Sequence, residues 1–253
     1  MLEQYLIERR QKQEILLMTH IVLGHPHFDT SLRLVESMVQ AGVDLIELQI
    51  PFSEPMADGP VILRANQEAL EAGSTVDRCF EVATEVARRF DIPFLFMSYY
   101  NVLFRRGVAE FVNRSQQAGL RGAIVPDLPP EEGAEYLAAM KEAALDPIFI
   151  YSPNTTDARL KVIAEYASGF VYCVARKGVT GSATAFSTEL SSYLARARAA
   201  TTLPLAVGFG VKEKADVDFL RGKADIAVVG SETLRVLERG GVAEVGPFLK
   251  GLR

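Results

Sequence analysis

Two carboxylates in the segment LIELQIPFSEPMADGP, Leu45 to Pro60, have the types and spacing needed for proton transfer. If residues 43–49 form a strand, side-chain alternation puts Glu47 on one face with Val43, Leu45 and Gln49. An acid among apolar neighbours loses hydration unless it is paired, which raises its pKa toward the range where it exchanges a proton near neutrality. Asp58 follows on a proline- and glycine-rich loop that cannot continue the strand. Both acids are therefore predicted to converge at the end of this strand.

A purely structural role for Glu47 is the alternative, in which the buried acid pairs with a basic residue such as Arg64. Catalysis is favoured because the residue type, the strand end and the loop carrying Asp58 agree.

Glycines near the carboxyl end indicate an anion site. Gly208-Phe209-Gly210 and Gly230-Ser231 each follow an apolar strand candidate, and the second precedes a helix. Glycine lets the backbone approach an oxyanion, and a helix start offers unpaired N–H groups. Either cluster alone could merely permit a turn, but both at adjacent strand ends favour phosphate.

The segment ARKGVTGSATAFSTEL, which contains Thr180 and Gly181, is rich in small residues. It is predicted to close as a lid over the site, excluding water and bringing a hydroxyl near the chemistry. A surface loop without function is the alternative, and its place beside the predicted phosphate site favours the lid.

His20, His25 and His27 crowd the end of the first strand candidate, as they would in a metal-dependent barrel hydrolase. Such a site draws further histidines from later strands, and the chain has none after His27. We therefore predict no metal and interpret the three as solvated loop histidines, although His20 could face the pocket.

Eight apolar strand candidates alternate with helical stretches: ILLMTHIVL, VDLIELQI, PFLFMSY, GAIVPDL, PIFIY, FVYCVA, LPLAVGFG and ADIAVVG. The spacing predicts an α/β fold, a closed (β/α)8 TIM barrel with an extra N-terminal helix, as one domain over residues 1–253. An open doubly wound sheet is the alternative; even spacing and the lack of a dinucleotide fingerprint favour the barrel. Catalytic groups of such barrels lie where strands end.

Composition narrows the function classes. The net charge of -5 gives no basic surface for nucleic acid, and two cysteines without ligand spacing fit a reducing compartment. The N-terminal stretch lacks the pattern of a signal peptide, and no apolar run is long enough to cross a bilayer. A cytoplasmic protein without membrane contact is expected.

Six motifs taken in order resemble the tryptophan synthase alpha chain family over nearly the whole sequence: IELQIPFSEPMADGP, MSYYNVLFRRG, VPDLPPEE, ARKGVTG, VGFGV and VVGS. The resemblance implies a lyase that cleaves indole-3-glycerol phosphate to indole and glyceraldehyde 3-phosphate. It also implies a tryptophan synthase beta chain as partner in an alpha2beta2 complex, met by the loops carrying Glu54 and Asp127. Pyridoxal phosphate is then expected only on the beta chain, and no cofactor on this chain.

The same resemblance implies residue roles. Glu47 is the general acid/base that protonates the indole carbon, Asp58 holds the ring N–H, Tyr172 lies near the glycerol hydroxyl and Thr180 steadies Asp58. The phosphate is assigned to Gly181, Gly210, Gly230 and Ser231, and the indole pocket to Met97, Tyr99, Ile124 and Phe209.

Several positions depart from the commonest family pattern. Gln49 stands where glycine is usual, Glu54 where aspartate is usual, His20 where an aromatic ring is usual, and His25 replaces an acid. Gln49 is predicted either to crowd the pocket or to hydrogen-bond Glu47 and shift its pKa.

Two other functions are compatible with the sequence. One is a related phosphate-binding barrel, either an isomerase or a synthase that makes indole-3-glycerol phosphate, and it needs a different acid/base set. Such a synthase would show a lysine at a strand end, and no strand candidate here ends in lysine. A non-catalytic partner that binds a sugar phosphate and only activates the beta chain is the other.

Overall fold

Eight parallel strands form a closed barrel in the computed structural model, which describes residues 2–175, 188–208 and 210–253. They pair in chain order, and the first strand closes on the last through Leu16–Thr19 against Ile226–Val229. This confirms the barrel over the open sheet. The strands are β1 Leu16–Val22, β2 Leu45–Gln49, β3 Phe94–Met97, β4 Gly122–Ile124, β5 Asp146–Tyr151, β6 Val171–Val174, β7 Leu205–Gly208 and β8 Ile226–Val229.

Helices cover the outside of the barrel, and the predicted extra helix, α1, precedes β1. Within the part of the chain that the structure describes, they are α1 Leu2–Arg10, α2 Phe28–Gln40, α3 Pro60–Glu71, α4 Val76–Arg89, α5 Tyr100–Arg106, α6 Val108–Gln117, α7 Ala134–Glu142, α8 Asp157–Tyr166, α9 Thr188–Ala200, α10 Lys214–Leu220, α11 Ser231–Gly240 and α12 Val242–Gly251. A short 3-10 turn, Pro130–Glu132, precedes α7.

Strand residues divide between two apolar clusters, because successive side chains point to opposite faces of a strand. Ile46 and Leu48 of β2 pack outward under the helices, whereas Leu45 joins an inner cluster with Leu95 and Ile226. The inner cluster fills the barrel, so the lumen is packed rather than open.

The predicted face of β2 is right for Glu47 and wrong for Val43. Val43 precedes the strand and packs in the outer cluster. The chain turns there through Gly42, at φ 87°, and Val43 N–H bonds back to Met38 of α2. The turn breaks the alternation that the sequence suggested.

Helix α1 closes the end of the barrel where the strands begin. Leu2 and Leu6, four residues apart on one helix face, are fully buried in the inner cluster. Tyr5 Oη donates to the carbonyl of Asp44, the residue before β2, at 3.0 Å. The functional site is therefore expected at the opposite end of the barrel, where the strands finish.

No helix in the described ranges is long and apolar enough to cross a membrane. Cys79 and Cys173 are buried free thiols, as the sequence predicted.

Candidate active site

Glu47 lies inside the barrel in contact with a histidine. Glu47 and His20 are each 4% exposed as whole residues, and Oε1 of Glu47 lies 3.2 Å from Nδ1 of His20. The two residues are register partners of β1 and β2, so the strand pairing itself brings them together. Glu47 Oε2 is buried and has no hydrogen-bond partner among the described residues. One carboxylate oxygen is thus held and the other is free for a ligand.

Electrostatics favour a charged imidazole at His20. Burial acts to lower its pKa, but the carboxylates of Glu47 and Asp58 outweigh burial, so the pKa is raised above the usual value. The side chain of Gln49 acts in the same direction. His20 is therefore part of the site and faces inward, the exception that the sequence allowed, and the interpretation as a solvated loop histidine is wrong for His25, which is also buried.

Asp58 is the second buried carboxylate, and two donors hold it. Gln49 Nε2 lies 2.7 Å and Tyr99 Oη 3.0 Å from the same oxygen, Oδ2. Burial raises the pKa of Asp58, while His20 and the two hydrogen bonds act to lower it. The charge of Glu47 also acts on Asp58, which places the two acids within electrostatic reach of each other.

Gln49 does not hydrogen-bond Glu47, which was one of the two predicted effects of this departure. Its amide instead donates to Asp58, and weakly to Asn66 Oδ1 at 3.4 Å. Gln49 is fully buried and points inward, because it lies two residues beyond Glu47 on β2.

Two contributors to this site, Asn66 and Phe52, were missed from the sequence. Asn66 accepts the Phe52 N–H at 2.9 Å and donates to the carbonyl of Ile62 at 2.8 Å, which fixes the start of the loop after β2. The Phe52 ring stacks on Tyr99 with centroids 5.1 Å apart. A signal for Asn66 existed: a polar residue on the apolar face of α3, formed by Ile62, Ala65 and Ala69.

Tyr99 ties the Asp58 loop to the barrel. Its hydroxyl donates to Asp58 and accepts the N–H of Ala57 at 3.1 Å. Tyr99 is fully buried just beyond β3, and Met97 and Ile124 extend the same inner wall from β3 and β4. These apolar side chains and the ring belong to one inner cluster, and their assignment to an indole pocket stays a prediction.

Tyr172 stands across the barrel on β6. Burial and the charges of Glu47 and Asp58 raise its pKa well above the usual value, so its phenol stays protonated at neutral pH. Gly208 at the end of β7 leaves room for the ring, because a methyl group there would overlap Tyr172. Gly208 therefore allows the Tyr172 ring to pack closely against the backbone of β7.

Three predicted phosphate residues follow β7 and β8. Gly210 has φ 140°, which a side chain would disfavour, and Gly230 is the N-cap of α11, whose first residue is Ser231. Glu232 in the first turn of α11 pairs with Arg235 and Arg239, which neutralise its charge beside this helix start. The fold thus puts these positions beside each other at the end of the barrel where Glu47 lies.

Three other predicted site residues, Thr180, Gly181 and Phe209, lie outside the described residues, as does the predicted lid that contains the first two.

Arg64 is not the partner of Glu47; the basic residue that this buried acid contacts is His20. Arg64 is exposed on α3 and pairs with Glu68 and Glu238. His25 is buried near Glu68, with Nδ1 3.2 Å from Oε2, and burial lowers its pKa; only His27 of the three histidines is exposed.

In the described ranges, no group of three or more His, Cys, Asp or Glu side chains could hold a metal ion. The chemistry that the described side chains offer is proton transfer: a buried carboxylate with one free oxygen, a second carboxylate that can accept an N–H, and a protonated phenol.

Sequence comparison identifies close relatives of the chain. A family model described as tryptophan synthase alpha chain matches residues 6–245. The tryptophan synthase alpha chain of Desulforapulum autotrophicum is 64% identical over 252 residues, with 100% of both chains covered. That of Syntrophotalea carbinolica is 61% identical over 253 residues, again with 100% of both covered.

Solved structures agree with the sequence matches. Mycobacterium tuberculosis tryptophan synthase superposes with a TM-score of 0.93 at 31% identity, covering 99% of this chain and 96% of that one. The tryptophan synthase a2b2 complex of Pyrococcus furiosus gives a TM-score of 0.88 at 32% identity, covering 94% and 97%.

Proposed function

The chain belongs to the tryptophan synthase alpha chain family, a family of lyases, and we propose that Glu47 and Asp58 are the two acids of its reaction. That reaction cleaves indole-3-glycerol phosphate to indole and glyceraldehyde 3-phosphate in tryptophan biosynthesis. The observation that supports the assignment best is on the inner wall of β2, where Glu47 keeps one buried oxygen without a hydrogen-bond partner among the described residues.

Glu47 acts first as an acid. It gives a proton to the indole carbon that bears the side chain, which makes an indolenine with positive charge at the ring nitrogen. Asp58 accepts the ring N–H and stabilises that charge. Both hydrogen bonds from Gln49 and Tyr99 go to Oδ2, an arrangement that suits Oδ1 as the oxygen that meets the ring.

Glu47 then acts as a base. Its carboxylate takes the proton of the glycerol hydroxyl, the carbon–carbon bond breaks, and the electron pair returns to the ring to neutralise the iminium. Tyr172, whose pKa is raised by burial and then by the charges of the two acids, supplies an O–H to the oxygen that becomes the aldehyde carbonyl. The same carboxyl is thereby restored, so one residue serves both steps.

The phosphate is assigned to the backbone at Gly210 and Gly230 and to Ser231, which follow β7 and β8, and, from the family resemblance, to Gly181. The start of α11, a ten-residue helix, favours an anion there through its N–H groups. From the family resemblance we assign to Thr180 the role of steadying Asp58, and to Phe209 a place in the indole pocket with Met97, Tyr99 and Ile124.

A tryptophan synthase beta chain is the proposed partner, in an alpha2beta2 complex like that of Pyrococcus furiosus. The surface we propose for it follows β2 and β3 and carries Glu54, Met56 and Phe104. Met56 is 73% exposed and Phe104 66% exposed, which is unusual for such apolar side chains. Asp127 accepts the N–H of Tyr100 at 2.9 Å and so fixes the start of α5, the helix that carries Phe104.

No cofactor is proposed for this chain itself, and pyridoxal phosphate is assigned to the beta chain. A cytoplasmic location fits a biosynthetic enzyme of this family.

Glu47→Gln tests the proposed function. We expect the variant to lose indole release from indole-3-glycerol phosphate by a factor of about a hundred or more, the scale of general acid–base catalysis. Because the amide keeps the shape of the carboxylate, binding of an unreactive analogue without the glycerol hydroxyls should stay within a few-fold. The assay is run with and without a beta chain, which separates a catalyst from an activator.

Glu68→Gln is the matched control, since Glu68 lies on the exposed side of α3. It should turn over like the wild type. Wild-type rates in Glu47→Gln would remove Glu47 from the mechanism.

A further inference from the structure

His20 is a buried titratable group that the proposed mechanism does not use. Its Nδ1 lies 3.2 Å from Glu47 Oε1, both side chains are 5% exposed, and the two residues are paired across β1 and β2. A Cβ at Gly230, at the end of β8, would lie 3.8 Å from His20 Cβ, so the histidine stands between the acid and the proposed phosphate site.

Two buried atoms of this pair have no hydrogen-bond partner among the described residues: His20 Nε2 and Glu47 Oε2. They are the two ends of the His20–Glu47 unit, and its middle is the Nδ1–Oε1 contact. A unit of this kind can carry one mobile proton, either as imidazolium and carboxylate or as imidazole and carboxylic acid.

We propose that His20 is a positioning residue that keeps a proton available to Glu47 at neutral pH and fixes the orientation of its carboxylate. The inference rests on the proposed function and adds to it a residue that differs from the usual family pattern. A carboxylic acid alone, with a pKa near 4 in water, is mostly ionised at neutrality and is then a poor proton donor.

The proton balance closes over one turnover. In the imidazole–carboxylic acid form, Nδ1–H still donates to Oε1 and the mobile proton is on Oε2, which gives it to the indole carbon as the new C–H bond forms. The carboxylate then takes the glycerol hydroxyl proton as the C–C bond breaks. That proton returns to the unit, so no external acid or base is consumed.

The surroundings favour the protonated form of the pair. Among the described residues, the groups that act on His20 are Glu47 on β2, Asp58 on the loop after β2, and the uncharged amide of Gln49, and all three raise its pKa against the effect of burial. Gly230, on the β8 side, brings no charged side chain.

The test is the pH dependence of indole release for three variants from about pH 5 to about pH 9, across the range where histidine titrates. His20→Phe keeps a ring but removes both nitrogens. His20→Asn keeps an N–H that can reach Oε1 but cannot hold the mobile proton. His27→Phe removes an exposed histidine from the following loop as the control.

We expect His20→Phe to lower kcat at neutral pH by about tenfold to a hundredfold, the scale of a misplaced catalytic group, while KM changes by a few-fold at most. The basic limb of its pH profile should move to lower pH than in the wild type, because no imidazole is present to hold the proton. His20→Asn should recover part of kcat at low pH and show the same displaced basic limb. His27→Phe should match the wild type.

The proposal is overturned if either His20 variant keeps the basic limb of the wild-type pH profile. If His20→Phe fails to fold, the profile of His20→Asn alone gives the answer.

An independent readout needs no turnover: the His20 ring is titrated by NMR in the wild type and in Glu47→Gln. We expect a lower imidazole pKa in Glu47→Gln, because the carboxylate is gone. Equal titration would refute the pairing even if the lyase reaction is confirmed, and a shifted titration would support it even if no indole is released.

Discussion

At the scale of single residues, Gln49 shows how one substitution reorganises a site. Glycine at this position could not donate to Asp58, whereas the Gln49 amide does so at 2.7 Å and favours the ionised carboxylate. The same side chain favours the charged form of His20. The two departures from the family pattern, at positions 20 and 49, therefore act on the two acids as one polar cluster.

Gln49→Leu tests this cluster through pH. Removing the amide removes a hydrogen bond that lowers the pKa of Asp58, so this pKa should rise further above its usual value. The ionised form of Asp58 is then lost at a higher pH on acidification. We expect the acid limb of kcat/KM for indole release to move to higher pH, measured across the acid range.

Gln67→Leu serves as the control, because Gln67 is exposed on α3 and donates a hydrogen bond to Glu71 of the same helix. An unmoved acid limb in Gln49→Leu would show that the Gln49–Asp58 bond does not govern ionisation.

At the scale of elements, β2 serves both ends of the barrel. Glu47 and Gln49 point into the mouth, while Asp44, just before the strand, is fully buried at the other end. Asp44 pairs with Arg9 of α1 at 2.6 Å and with Arg253 at the end of the chain at 2.7 Å, and it accepts the Leu17 N–H of β1 at 2.9 Å. The acid thus joins α1, the first two strands and the carboxyl terminus.

Asp44→Ala should destabilise the fold without changing the chemistry. We expect a loss of about 3 kcal/mol in the free energy of unfolding, the low end for breaking a buried ion pair. The low end applies because the arginines remain 34% and 32% exposed and partly solvated. Denaturant unfolding measures the loss, and kcat of the folded variant should remain that of the wild type.

Asp218→Ala is the matched control, since Asp218 also pairs with two cations, Lys214 and Arg221, but on the exposed surface of α10. Its unfolding midpoint should change much less. Equal losses in the two variants would contradict the role given to Asp44.

At the scale of the whole molecule, the closed barrel separates stability from function. Helix α1 and the Asp44 ion pairs lie where the strands begin, and the acids, Tyr172 and the glycines after β7 and β8 lie where the strands finish. The exposed apolar side chains of Met56 and Phe104 follow strands at this second end. A partner protein that acts on the site would bind at this end of the barrel.

Phe104→Ser tests the proposed beta-chain surface. The substitution removes a ring that is 66% exposed and is expected to weaken activation of indole release by a beta chain several-fold. The rate of the chain alone should stay unchanged, because the Phe104 ring is largely exposed to solvent. Indole release measured as a function of beta-chain concentration gives both the activation and the rate of the chain alone.

Ile7→Ser is the control on the opposite end, where the side chain is 43% exposed on α1. It should leave activation intact. If both variants were activated like the wild type, the surface after β2 and β3 would not be the docking site.

The sequence carried most of the fold because strands buried on both faces are continuous apolar runs, and the helices between them have polar faces. It predicted Glu47, Gln49 and Asp58 at one strand end from alternation and loop chemistry. It failed at Val43, where a glycine turn precedes the strand, and it left open whether His20, the first of three closely spaced histidines, lies in a loop or in the site.

Alternation, spacing and turn residues are local properties, and by themselves they determined the order of strands and helices, the barrel and the acids at its mouth. Only the tertiary structure decided which side chains meet. The His20–Glu47 contact depends on the register of β1 against β2, and the Gln49–Asp58 bond depends on how the loop folds back over the strand. Register and loop path are fixed by packing of the whole barrel, which no short stretch of sequence encodes.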